Sequence, residues 1–413
     1  MRRRDCLAAM GSAAATAAAG CSALDGLGRG TEPRTGTPCE LDRSRERGTA
    51  GWPSLRGDPR NTGAVPGDDA PVPPLELDWV ARMSGLAGTV QPSVVGDTVH
   101  TSDYDDTLHA LAADSGEPRW QHTIDDVYPG QAVVGDRVFY TSDAGLRAYD
   151  RRDGTLRWTA PQPDGPAGYT FHPTSDGEVV AVGTDLGVAA VDVASGERRW
   201  HHRTGLETHT APAVVDGVVV AGSDDTCVRA LDAATGERRW RAKTDGRVRC
   251  PPAVVDGRVF VGSNDGTLSA LDAATGEREW THEVGPEVRT LAVTGGHVFA
   301  AGRDRGVGPL VALRADTGER CWRRDVYEGW GGLAVGLDHL WTYVPDGDGG
   351  DTVGAVDTAT SEVVWRLGNT GRELGAAGGR LGGGLAVAGG ALYAGAVVDG
   401  GVAAARLVES RIG

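Results

Sequence analysis

Leu231-Asp-Ala-Ala-Thr-Gly-Glu-Arg-Arg-Trp240 is answered forty residues later by Leu271-Asp-Ala-Ala-Thr-Gly-Glu-Arg-Glu-Trp280. The frame recurs, more loosely, at Ala112–Trp120, Asp150–Trp158, Asp192–Trp200, Arg314–Trp322 and Asp357–Trp365. With Trp79 at the front, the set Trp79, Trp120, Trp158, Trp200, Trp240, Trp280, Trp322 and Trp365 is spaced by 38 to 43 residues. A period of about 40 residues is the mark of a repeat architecture. This accounts for eight of the 11 tryptophans in a chain with only four phenylalanines. A large flat ring once per unit suits the wedge between neighbouring sheets, so these eight tryptophans read as structural.

Each unit reads as four short strands. Around Trp280 they are Pro252-Ala-Val-Val255, Arg258-Val-Phe-Val261, Thr267-Leu-Ser-Ala-Leu271 and Glu277–Trp280. Asp256-Gly257 and Asn264-Asp265-Gly266 separate the first three, and such pairs mark hairpin turns because glycine accepts a positive φ. In Asp272…Gly276 the carboxylate can cap the backbone N–H groups of the turn while Gly276 takes the left-handed position. Four-stranded units that cannot bury both faces alone predict propeller blades around an axis. Seven complete units run from about Pro92 to Trp365. After them come only three strands, at Leu381–Val387, Ala391–Gly395 and Val402–Leu407, and the missing fourth lies at Leu75-Glu-Leu-Asp-Trp79. The expectation is an all-β, eight-bladed propeller over residues 51–413, closed by pairing its N- and C-terminal strands in one blade, which removes the open edges.

The 413 residues carry a formal charge of −16, and Lys243 is the only lysine. Acidic surface without a basic tail excludes a nucleic-acid binder, since phosphate contacts need clustered positive charge. Residues 1–21 read as an export signal: Arg2, Arg3 and Arg4 precede a short alanine-rich stretch too short to span a bilayer. Arg3-Arg4-Asp5-Cys6-Leu7 resembles a twin-arginine signal. Ala18-Ala19-Gly20-Cys21 resembles a lipobox, with Ala18 where Leu is usual, so Cys21 is expected to carry a lipid that anchors the chain to the outer face of the cytoplasmic membrane. Secretion is the outcome if Cys21 is not modified. Residues 22–50, rich in Gly, Ser, Thr, Pro and Arg, form the expected flexible linker.

The frame Leu-Asp-Ala-x-Thr-Gly-x-x-x-Trp resembles the pyrroloquinoline-quinone-type (PQQ-like) repeat of eight-bladed propellers. Trp52-Pro-Ser-Leu-Arg-Gly-Asp-Pro-Arg-Asn-Thr-Gly63 resembles the lead-in that precedes the first blade in that family. The resemblance implies either of two functions. One is a non-catalytic, membrane-tethered platform for protein or peptide partners at the cell envelope, similar to the lipoprotein scaffold of outer-membrane β-barrel assembly. The other is a divergent quinoprotein dehydrogenase holding PQQ and Ca²⁺. The dehydrogenases carry adjacent cysteines over the quinone, whereas Cys6, Cys21, Cys39, Cys227, Cys250 and Cys321 are all separated. The carboxylate runs Asp103-Tyr104-Asp105-Asp106, Asp224-Asp225 and Asp346-Gly-Asp348 lack the spacing of a calcium loop and read as hairpin turns. His201-His202 alternates across a strand, so it does not make a metal pair. The sequence therefore assigns no catalytic residue, metal ligand or cofactor, and it favours the platform as a monomer. Connectivity among Cys39, Cys227, Cys250 and Cys321 stays open: Cys227 and Cys250 can bridge neighbouring units or remain buried thiols.

Ligands of propellers enter at the mouth of the central channel. Aligning the innermost strands places Gln91, Gln131, His172, Thr210, Arg249, Arg289 and Trp330 near that rim, with His209 and Cys250 beside them. These types vary between blades while the tryptophans do not. On an acidic protein, Arg249 and Arg289 in successive blades are the candidates to receive an anionic or peptide ligand.

Overall fold

The computed structural model describes residues 41–410 except 43, 45–50, 53, 55, 67–68, 84–90, 104–105, 125–126, 163–171, 304–307, 327–331, 337, 346–350, 368–379 and 399–400. The signal and lipidation readings at residues 1–21 lie outside them. All described residues belong to one compact unit, 36–413.

Alternating small apolar residues and Gly-containing turns fold the chain into eight antiparallel sheets of four strands each. Blade 1 shows the pattern: Ser93–Val95, Thr98–Ser102, Thr107–Ala112 and Pro118–Thr123 lie side by side in chain order. The first strands of the eight blades are Ser93–Val95, Val127–Val134, Thr174–Ser175, Ala213–Val215, Ala253–Val255, Val288–Thr294, Ala334–Gly336 and Arg380–Ala388. Each of them touches the next, and the last touches the first, so they form the inner wall of a closed ring. The fourth strands, which carry the repeat tryptophans, are outermost. Blade 8 is composite: Leu75–Met83 pairs antiparallel with Gly401–Glu409 at the end of the chain.

The core lies between blades rather than within them. In strand Val179–Thr184 of blade 3, Val180 and Val182 pack toward blade 2 while Val179 and Ala181 pack toward blade 4. The period-2 alternation of a strand thus supplies one layer to each neighbour. Between blades 3 and 4 that layer joins Val179, Ala181, Val188, Ala190 and Trp200 to Val214, Val219, Ala221, Leu231 and Ala233. Small residues predominate because eight sheets converging on one axis leave little room.

The tryptophan is set by a β-bulge. Ala230 faces Trp240 and Leu231 faces Arg238, so Arg239 is an extra residue on the outer strand. The same shift occurs between Ala110 and Leu111, Ala148 and Tyr149, Ala190 and Val191, Ala270 and Leu271, Ala312 and Leu313, and Ala355 and Val356. It recurs between Leu77 and Trp79, which gives the N-terminal strand of blade 8 the same device as the other outer strands. A bulge adds local twist and re-aims the side chain next to it. Here it swings the indole onto the next blade. Trp240 Nε1 donates to the Ala273 carbonyl at 2.8 Å, and its ring covers Gly276, where a Cβ would lie 2.6 Å away. Equivalent bonds run from Trp79, Trp120, Trp158, Trp200, Trp280 and Trp322 to carbonyls of Ala113, Arg151, Val193, Ala233, Ala315 and Thr358. Trp365 faces the composite blade, whose last connection is the ring closure itself. It makes an edge contact with Trp341, ring centroids 6.1 Å apart.

The receiving loop is held by its own aspartate. Asp272 Oδ1 accepts from the N–H groups of Ala274 and Thr275 and from the Thr275 hydroxyl, while Gly276 N donates to the Asp272 carbonyl. Gly276 has φ +75°, the left-handed region that glycine enters without cost. In blade 7 Ser361 holds that place at φ +64°. Gly276→Ala should cost about 3 kcal/mol, through strain and collision with Trp240. Gly217→Ala, at φ +70° with open space around it, should cost only about 1 kcal/mol. Ser361→Gly should gain up to about 1 kcal/mol. Urea midpoints of the three variants measure all of this, and equal losses at Gly276 and Gly217 would show that the ring contact contributes nothing.

Candidate functional site

The inner wall exposes the free edge of eight short strands toward the axis, and unpaired edge N–H groups need partners. In blades 1, 4, 5, 6 and 7 they find them in the chain itself. Residues 56–65 follow the inner wall: Val214 N donates to the Pro59 carbonyl at 2.7 Å, Val254 N to Arg60 at 2.9 Å, Val293 N to Thr62 at 2.7 Å and Val335 N to Gly63 at 2.8 Å. These donors belong to blades 4, 5, 6 and 7 in turn. Val65 N returns a bond to the Val335 carbonyl, and Trp52 exchanges both backbone bonds with Val94 of blade 1. Asn61 Nδ2 bridges the carbonyls of Ala211 and Pro252, 3.1 Å each, linking blades 4 and 5.

The segment orders itself. Asp58 Oδ1 accepts from the N–H groups of Arg60 and Thr62, both at 3.0 Å, and Oδ2 accepts from the Thr62 hydroxyl at 2.8 Å. Burial raises the Asp58 carboxyl above its ordinary range in spite of these bonds. Asn61 at φ +57° and Gly63 at φ +62° supply the left-handed turns. Any Cβ at Gly63 would press on Ala292 and on the Leu333 carbonyl. Trp52, Asp58, Asn61, Thr62, Ala64 and Val65 are all buried.

The expected rim residues divide. Gln131 is not on a solvated rim: it is 1% exposed. Its amide donates to the Gln91 carbonyl, Ser93 Oγ and the His100 carbonyl, since a buried amide needs partners. Gln91 is half-buried with its backbone against Gly384. The His172 ring lies against Gly130 of blade 2, and burial, followed by the charge of Arg56, holds it down to about 4. Thr210 is buried, and so is Cys250, which stands with Cys227 as a thiol. Cys321 is disulfide-bonded, to neither of these. Trp330 lies outside the described residues.

The charged rim residues form a cluster across blades 4 and 5 and an ion pair in blade 6. Arg249 grips Asp224 with two bonds, Nε to Oδ1 at 2.9 Å and Nη2 to Oδ2 at 2.6 Å. Arg247 approaches the same Oδ2 at 3.5 Å and His209 Nε2 at 3.7 Å. His209 Nε2 also meets Glu207, and Arg289 pairs with Glu287 at 3.5 Å. Burial raises the Asp224 carboxyl, but the Arg249 bond, with Arg249, His209 and Arg247 charge, outweighs it and leaves the group below its ordinary range. Both candidate arginines therefore already have carboxylate partners. Sequence alone offered Arg249 and Arg289 but not Asp224 and Glu287. The missing signal was available in the repeat, since Asp224 sits in the turn that faces the first strand of the next unit. The lead-in's course through the channel had no such signal, because its partners in blades 4 to 7 lie 150 to 272 residues away.

The family model described as "Outer membrane protein assembly factor BamB" matches residues 44–211 and 203–335. Among solved structures, BamB from Moraxella catarrhalis superposes with a TM-score of 0.64 at 22% identity, covering 82% of this chain and 98% of that one. Quinohemoprotein alcohol dehydrogenase from Comamonas testosteroni gives 0.69 at 14% identity, covering 89% and 82%. The computationally designed Ika8 protein gives 0.63 at 17%, covering 78% and 97%. At these identities the likeness is one of fold. A curated serine/threonine-protein kinase, AfsK from Streptomyces griseus, is 34% identical over 114 residues, 25% of this chain and 14% of the kinase.

A fold shared with quinohemoproteins raises the question of a calcium-bound quinone. Among the described residues Glu207, His209 and Asp224 are the one group of three potential ligands within reach of a common ion. They suit calcium badly: calcium takes six or more oxygens, and here an imidazole is central and both Asp224 oxygens face arginines.

Two histidines, His100 buried and His172 half-buried, give the ring a definite acid response. Burial, then the charges of Arg151 and Arg119, hold His100 down to about 3, and His172 stands at about 4. Both are neutral in the fold, so on acidification the unfolded chain takes up protons first. Stability is fully present above about pH 6.5 and is lost as the pH falls from there toward 4 and 3, by at most about 1.4 kcal/mol per pH unit per histidine. Urea midpoints between pH 7 and 4 should drop accordingly, and His172→Asn should flatten the slope. An unchanged slope in that variant would mean the ring charges freely.

Proposed function

The chain belongs to the family described as outer membrane protein assembly factor BamB, and on that footing we propose that it is a non-catalytic interaction or assembly platform working outside the cytoplasm. Its domain plan is the one read from the sequence: export signal 1–21, linker 22–50 and propeller 51–413, with a lipid on Cys21 holding it to the membrane. A fold names no activity by itself. The observation that carries the reading is how the channel and rim are filled. The inner edges of blades 4 to 7 bond to the chain's own carbonyls, and the rim charges pair with one another. While the channel is occupied in cis, the surface open to a partner faces outward, and the mixed-sign patch of Glu207, His209, Arg247 and Arg249 suits a polar protein or peptide surface better than a small cofactor.

Lys243 is the only lysine, so amine crosslinkers have one side chain with which to react. A photo-reactive residue at position 247 is the better probe. Crosslinking in membranes should capture a discrete protein partner, and charge reversal at Arg289 (Arg289→Glu) should weaken the capture several-fold. No captured protein, together with stoichiometric binding of PQQ and Ca²⁺ and dye-linked alcohol oxidation, would instead establish the divergent dehydrogenase. Separately, Cys21→Ser should release the protein from membranes into the soluble fraction; continued anchoring would refute the lipid.

A further inference from the structure

We infer that the central channel is a peptide-binding site, occupied in cis by residues 56–65. Its ligand class is an extended peptide with an Asp-capped turn, of the sequence Arg56-Gly-Asp-Pro-Arg-Asn-Thr-Gly-Ala-Val65. The contacts are those by which a strand edge takes an added peptide. Four ring N–H groups, one from each of four successive blades, donate to carbonyls of the segment at 2.7 to 2.9 Å. Main-chain bonds of this kind supply affinity, and enclosed side chains supply selectivity.

Selectivity here has three sources. Asn61 Nδ2 donates to two carbonyls from different blades, a geometry that an apolar residue lacks. Thr62, Ala64 and Val65 are at most 1% exposed, so larger residues have no room. Gly63 approaches Ala292 and the Leu333 carbonyl within 3.2 Å of where its Cβ would stand. The Asp58 turn meanwhile holds the segment's own backbone, so that less conformational entropy is lost when it docks.

The segment is also separable in principle from what it binds. It precedes every blade in the chain, and the ring closes without it, through Leu75–Met83 against Gly401–Glu409. Its continuation into that strand passes through residues 66–74, which are tied to the ring by the Asp69 carbonyl to Gly390, Val72 N to Glu409, the Pro74 carbonyl to Ser410 and the burial of Ala70 against Gly336. The segment thus has the relation to the ring that a bound peptide has to its receptor, with a covalent leash.

The test uses the full chain with a protease site inserted between Gly67 and Asp68, cut after folding. Cys321 is disulfide-bonded, and not to Cys227 or Cys250, so the cut protein is kept in reductant to leave no covalent tie. Size exclusion should show the cut N-terminal piece still travelling with the ring. A fluorescent synthetic peptide of residues 51–66 should then exchange into the ring at one per chain. The same peptide with Asp58→Ala or Asn61→Ala should displace the piece at least tenfold less well. Immediate loss of the piece, whether the ring stays folded or not, overturns the proposal. So does a retained piece that never exchanges with the peptide, since that describes an integral strand. Equal exchange by the variant peptides would likewise deny a site that reads this sequence.

Discussion

Everything else in the ring depends on one contact, repeated: an indole on one blade lying over a turn of the next and donating to its backbone. Neither half works alone. The bulge before each tryptophan aims the ring, and the Asp-x-x-Thr-Gly turn presents a surface without a Cβ for it to cover. A single such contact combines aromatic burial with a satisfied buried N–H, the arrangement that buried tryptophan prefers. Repetition makes it a direction of assembly, since each blade reaches forward to its successor. The apolar layers follow that direction, because residues of one strand alternate between the blade behind and the blade ahead.

A one-way chain of contacts must still be closed, and the ring is closed twice. On the outside, Leu75–Met83 completes blade 8 and brings Trp79, with its own bulge, onto the Gly116 turn of blade 1. On the inside, the lead-in bonds to blades 1, 4, 5, 6 and 7. The two closures differ in kind. The outer one repeats the contact that blades 1 to 6 make, while the inner one satisfies edge N–H groups that the blade pattern leaves facing the axis. A propeller in which five of the eight inner strands have only two or three residues has little inner sheet to lose there. A bonded segment across four of them limits how far neighbouring blades can separate.

This difference explains what the sequence made legible. The blade number, the composite eighth blade and the role of the glycine turns all follow from local, periodic signals: Trp240 and Trp280 in matching frames, and Asp272 to Gly276 as turn chemistry. Gln131 and the rim arginines were legible only as positions. Whether a residue on an inner strand meets water or a neighbour depends on which side chain the adjoining blade sets opposite it; the repeat gives that position but does not dictate the residue there. Gln131 is buried because the Gln91 and His100 carbonyls of blade 1 need its amide. Arg249 is neutralised because Asp224 ends the turn of the blade before it. The lead-in was visible as a motif, but its asparagine and glycine serve backbone atoms of three distant blades, 4, 5 and 7.

The acidity of the chain belongs in the same account. Asp192, Asp232, Asp272 and Asp357 each accept backbone N–H groups of their own turn. Arg199 and Arg239, the bulged residues before Trp200 and Trp240, pair with the first two. Asp232 is thereby held at about 2, first by Arg239 and then by the N–H of Thr235. Much of the carboxylate therefore works locally, as turn caps and as partners for the residue that the bulge turns outward. A charge distributed by the repeat in this way has the repeat's symmetry and points to no particular partner. Specific recognition has to come from the places where the repeat is broken: the rim of blades 4 to 6, where the charges differ from blade to blade, and the channel, where a unique segment meets the inner strands.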